Sequence, residues 1–164
     1  MTGFFMAFAK WLEHTRSAVA ISTSDWAFPF VQWTHFSGLS LWLGTNLAVD
    51  FRLLGIGRKR QSIGELSSAL IIWNWIGFAI ALSGGFMLFA SSATHYIPNP
   101  AFDLKVGILI PLALILHIVI QANARAWTAS PNPPAIARLA GLLELLLWLS
   151  VVTAAVSIPN FETY

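Results

Sequence analysis

The chain has no cysteine. That excludes disulfides, thiolate metal sites, iron–sulfur clusters and covalent attachment of a c-type haem. Any metal ligand must be histidine, methionine, carboxylate or backbone. Charge is scarce as well. Only 10% of residues are charged, against roughly 25% in soluble domains. The formal net charge of +2 is too small to point to nucleic acid. Soluble-enzyme signatures are missing: no glycine-rich phosphate loop, no His-Glu-x-x-His, no Ser/His/Asp order in suitable surroundings. No reaction is assigned. No cleavable signal peptide is expected, because Met1–Lys10 is apolar before it is basic and no small-residue cleavage site follows. No internal repeat is evident.

What the chain does have is apolar length. Of its 164 residues, 57% are hydrophobic, and the mean hydropathy is +0.70. This size suits one domain, and this composition suits a membrane. The reading is an all-α fold, a bundle of four transmembrane helices preceded by an interfacial amphipathic helix. That first helix is expected over about 3–20, where Phe4, Phe5, Phe8, Trp11, Leu12 and Val19 recur at helical spacing between charged residues. Spans are expected at about 26–49, 68–92, 104–125 and 136–158. Ser22, Ser24 and Asp25 offer caps for the first, and Pro29 is tolerable in its first turn. Pro111 is expected to kink the third.

Four spans place both termini on one side. Arg52, Arg58, Lys59, Arg60, Arg125 and Arg138 lie in or beside the first and third connections. The second holds only Lys105. The positive-inside rule then puts both termini outside the cytoplasm. The lipid bilayer is one expected partner; other membrane subunits are a second. Anionic lipid is a further reading for Arg58, Lys59 and Arg60. Asp50 and Arg52, at the end of the first span, are expected to form an interfacial ion pair.

Ionisable groups inside the spans are the functional candidates. His35 is nine residues past Trp26, about 13 Å along a helix. His117 is fourteen past Asp103, about 21 Å along. The two therefore differ in depth by about 7 Å. One reading makes both axial ligands of a haem b, with Gly38, Gly44, Gly84 and Gly85 leaving room for the ring and Trp42 beside it. Another makes His35 a single ligand. A third has each histidine bonding a neighbouring helix, with Asn46, Asn74, Ser83 and Glu144 as partners. Glu144 is as far as His117 from the centre of their connecting turn, between Ser130 and Pro131. The pair is expected at one level, as a buried hydrogen bond or a proton relay. His35 is expected level with Ser83, Gly84 and Gly85. His14 and His95 read as ordinary interfacial residues.

The motifs Trp26-x-x-Pro29, His35-x-x-Gly38 and Asp50-Phe51-Arg52-Leu53-Leu54-Gly55 resemble an uncharacterised bacterial family of small four-helix integral membrane proteins. Trp73-Asn74-Trp75-Ile76-Gly77-Phe78, Gly85–Phe89 and the stretch Tyr96–Lys105 resemble it too. The segment His35–Gly44 is more loosely similar to the first helix of four-helix haem-b membrane proteins of the copper-resistance D and haem-synthesis oxidase types. That similarity carries over His35 alone. It implies a b-type haem protein passing electrons in the bacterial inner membrane. The alternatives are a haem-free accessory subunit of a larger respiratory or photosynthetic complex, and a small proton-coupled transporter.

Overall fold

The computed structural model describes residues 2–57, 62–129 and 132–161. The Arg58–Arg60 cluster and the turn centre at Ser130 and Pro131 lie outside them. The described chain is all-helical. Helices α1 (Thr2–Glu13) and α2 (Arg16–Thr23) come first, then two long ones, α3 (Ala27–Leu53) and α4 (Ile63–Ser91). The short α5 (Ala93–Tyr96) and α6 (Pro100–Leu104) follow. A π turn, Lys105–Leu109, joins α6 to α7 (Ile110–Asn123), and α8 (Ala135–Ser157) closes the bundle. Three described helical segments are long and apolar enough to cross a membrane: Ile63–Ser91, Pro100–Asn123 and Ala135–Phe161. α3 matches them in length, with 27 residues. Thr34, His35, Ser37, Ser40, Thr45, Asn46 and Asp50 dilute its apolar character.

Local chemistry sets the ends. Ser24 Oγ accepts from the N–H groups of Trp26 and Ala27 at the start of α3. α3 stops in a Schellman turn. Gly55, at φ 82°, donates to Arg52 O, and Ile56 donates to Phe51 O. Ser62 and Glu65 form a reciprocal capping box on α4. Asn99 caps α6 with its Oδ1, and its Nδ2 donates to Ile158 O at the far end of α8.

One element differs from expectation and another carries a detail that was not expected. The single amphipathic helix over 3–20 is two helices. Thr15 breaks it by accepting from Ala18 N–H, so capping α2, while its hydroxyl donates to Leu12 O. Ahead of Pro111 there is a π turn, in which Ile110 N–H reaches back to Lys105 O. Proline has no N–H and its ring crowds the carbonyl one turn back. One extra residue in the turn moves that carbonyl aside.

α3 and α4 run antiparallel with their backbones in contact. A Cβ on Gly38 would lie 2.4 Å from Ala81 N, and one on Gly77 would lie 2.6 Å from Trp42 N. α8 packs on α3 and on α7. α4 meets α7 through side chains, Asn74 to His117 and Trp75 to Gln121. At the Leu53 end, Leu53, Ile63, Ile120, Ala124, Ala137 and Ala140 form an apolar layer. Trp42, Ala113, Trp148 and Val151 form another nearer the middle. At the Trp26 end α1 and α2 close over α4 and α5, through Ala9, Leu12, Ala18, Ala90 and Ala93. Glu13 Oε1 accepts from both the N–H and the hydroxyl of Thr94, at 2.8 Å each.

Candidate functional site: a buried polar cluster

Between the two apolar layers lies a polar one. α3 carries Trp42, Thr45, Asn46, Asp50 and Leu53 on a single face, spaced three and four apart. α4 contributes Asn74, α7 His117 and Gln121, and α8 Glu144 and Trp148. Asp50 and Glu144 are each 1% exposed, His117 5% and Asn74 3%.

The bonds form one network. Glu144 Oε1 lies 2.6 Å from His117 Nδ1 and accepts from Trp148 Nε1 at 3.3 Å. His117 Nε2 is 2.8 Å from Asn74 Oδ1 and 2.6 Å from Gln121 Nε2. Asn74 Nδ2 donates to Asn46 Oδ1 at 2.6 Å and to Thr45 Oγ1 at 2.8 Å. Trp75 Nε1 donates to Gln121 Oε1 at 3.2 Å. These neighbours fix both amides: Asn74 offers His117 an oxygen, and Gln121 offers it an N–H. Neutral imidazole, protonated at Nδ1, can accept from Gln121. Imidazolium can donate to Asn74. Nε2 thus faces an acceptor and a donor side by side, and in either state only one of the two contacts is a hydrogen bond.

Some polar atoms in this layer have no protein partner. Trp42 Nε1 and Asn46 Nδ2 are buried without one, and the carboxyl oxygens of Asp50 have no N–H or hydroxyl partner among the described residues. Asp50 lies within hydrogen-bond reach of Glu144, so a single proton shared between the two carboxyls would join them. Thr45, Asn46, Ser67, Asn74, His117 and Glu144 are among the residues lining a cavity of about 10 Å³. That is room for about one water.

Toward the Trp26 end the layer is closed by rings. Trp42 packs against Phe78, Trp75 and Trp148, with centroids 4.8, 5.6 and 5.4 Å away, and against His117 at 4.7 Å.

The structure brings His117 and Glu144 together and keeps His35 apart from them. His35 lies two turns of α3 before Trp42, about 10 Å away along the axis. Its Nδ1 is 2.6 Å from Ala81 O. Its ring lies on Gly85, where an added Cβ would stand 2.9 Å from Cε1. Gly84 faces the His35 backbone and Cβ. A haem clamped by both histidines does not fit. Both nitrogens of His117 are engaged, and the backbones of Ala81 and Gly77 fill the space at Gly38. A Cβ on Gly44 would meet nothing within 4 Å. Among the described residues no three histidine or carboxylate groups stand together as metal ligands. Asp50 is turned into the bundle beside Glu144 and not to the interface that an ion pair with Arg52 was expected to occupy. Side chains two apart on a helix point to different sides.

Gln121 and Thr45 carry bonds that the sequence reading did not single out. Gln121 follows His117 by four residues, and Thr45 precedes Asn46 on the buried face of α3, so helical spacing was the available signal.

Comparison with protein-family models, with curated proteins and with solved structures found no match for this chain.

Proposed function

We propose that this chain is a four-span membrane protein that loads protons onto the buried Asp50–Glu144–His117 cluster. It would be the proton-binding element of a small proton-coupled transporter. In this reading α3 is the fourth span, although less apolar than the others. The Leu53 end faces the cytoplasm of a bacterial inner membrane, both termini are periplasmic, and α1 and α2 lie at the outer interface. Arg52, Arg125 and Arg138 sit at the Leu53 end, as the positive-inside rule requires of a cytoplasmic face.

One observation carries the reading. Three titratable side chains from three helices meet almost fully buried among apolar helices. Ionisable groups in such surroundings are costly and mark proton and substrate paths. Purely structural hydrogen bonds between membrane helices contribute about 0.6 kcal/mol on average, a small return for burying three titratable groups. The donor of Gln121 and the acceptor of Asn74, side by side at His117 Nε2, link the histidine to the polar residues of α3 and α4. The polar residues lie in the half toward Leu53, and Trp42, Trp75, Phe78 and Trp148 close the other half. In this state access is from the cytoplasmic side, and delivery to the other side requires the ring layer to open, as in a transporter rather than a continuous pore.

The test is proton uptake by liposomes holding purified protein, driven by a clamped potential. Wild type is expected to carry protons, and Glu144→Gln and Asp50→Asn to cut the rate at least tenfold. Infrared difference spectra across a pH step should show a carboxyl band that disappears in both variants. Unchanged flux in a folded Glu144→Gln protein, or the lack of any titrating carboxyl band, would sink the reading.

A further inference from the structure

The hydrogen bonds of the polar layer leave one amide donor over, and the bonds themselves say which. Trp75 Nε1 only donates, so it fixes Gln121 with Oε1 toward the indole. Gln121 Nε2 then donates to Asn74 Oδ1 at 3.3 Å. Asn74 Nδ2 in turn donates to Asn46 Oδ1 at 2.6 Å. Asn46 is left with Nδ2, buried and without a protein partner. Reversing the Asn46 amide would set two donor nitrogens face to face.

This side chain stands at a cavity. Asn46, Ser67, Asn74, His117 and Glu144 are on the wall of the space of about 10 Å³, the size for about one water. Glu144 takes His117 and Trp148 at Oε1, and a carboxylate has lone pairs beyond those two bonds. Ser67 is seven residues before Asn74 on α4, about 10 Å nearer the Leu53 end. Ser67 is buried. Among the described residues its hydroxyl is not tied to the carbonyl four residues back, as those of Ser37, Ser40 and Ser83 are. The cavity therefore leads from the carboxyl cluster toward the Leu53 end.

We infer that this cavity binds one ordered water, which accepts from Asn46 Nδ2 and donates to the Glu144 carboxyl. The chemistry of the wall selects water. The ligand must accept from an N–H and donate to a carboxylate. A metal cation cannot accept, a halide ion cannot donate, and a second heavy atom exceeds the volume. Resting on the proton-loading reading, the water also has a task. It takes a proton from the Leu53 side by way of the Ser67 hydroxyl and passes one to Glu144, and is itself unchanged at the end.

The water is read by nuclear Overhauser effects between side-chain amides and water, in asparagine-labelled protein in deuterated detergent. Asn46 is expected to give the cross-peak of a long-lived water, and Asn46→Leu to remove it. Asn99 is the control: it is equally buried, but its Nδ2 donates to Ile158 O, so no cross-peak is expected. Absence of the Asn46 cross-peak in folded wild type, or an equal one at Asn99, overturns the inference. So does its loss when sodium chloride is added, since an ion would then hold the cavity. The task is read by proton uptake into liposomes. Asn46→Leu should cut the rate at least tenfold while the carboxyl band still titrates. Unchanged uptake in Asn46→Leu overturns the task. No uptake even in wild type sinks the proton-loading reading, and the water site then stands or falls on the cross-peak alone.

Discussion

At the scale of single residues, the protein is governed by what can stand next to a backbone. Gly38 and Gly77 have helix backbone where a side chain would go. Gly38→Ala should therefore force α3 and α4 apart and destabilise the fold by about 1–3 kcal/mol, the range for overpacking. Gly44, on the same helix with nothing within 4 Å, is the internal control. Gly44→Ala should not destabilise, and removing a helical glycine contributes about 0.5–1 kcal/mol in its favour. Thermal unfolding in detergent reads both. Equal behaviour of the two variants would mean the close approach at Gly38 is not made in the membrane. The same scale separates the histidines. His117 is held on both nitrogens by a network spanning four helices, whereas His35 bonds one backbone carbonyl of α4.

At the scale of elements, the ends of helices carry information that the apolar middles do not. The capping box of Ser62 and Glu65 starts α4 and so sets where Asn74, Gly77 and Ala81 fall along it. Ser62→Ala removes the acceptor for the Glu65 N–H, at a cost of about 0.5–2 kcal/mol. Hydrogen exchange should show the loss as faster exchange confined to the first turn of α4. Faster exchange spread along the whole helix would instead mean that the cap governs the α3–α4 contact. Pro111 acts in the same local way. It widens the preceding turn by one residue, and this sets the rotation at which Lys105 enters the bundle. The rule for proline states the lost N–H and the clash, not how the chain relieves them, so the π turn ahead of Pro111 was not legible in the sequence.

At the scale of the whole molecule, length and hydropathy made three crossing helices legible, and counting from a turn placed His117 opposite Glu144. The count worked because an antiparallel hairpin is symmetric about its turn. It set His35 opposite Gly84 and Gly85 for the same reason. The orientation of Asp50 was not legible that way. Its neighbour in sequence, Arg52, suggested an ion pair, while the period of α3 through Trp42, Asn46 and Asp50 points inward. Periodicity is a property of the helix as a whole, and a pairwise reading of two nearby charges misses it. The close contact of α3 with α4 has a consequence for how the protein is made. In the proposed four-span reading, α3, which falls short of the apolar character of the other three, is expected to partition into lipid only once α4 has left the ribosome, the two entering as a preassembled hairpin. Nascent chains stopped before Ile63 should leave α3 open to protease in microsomes, and chains extended through Ser91 should protect it.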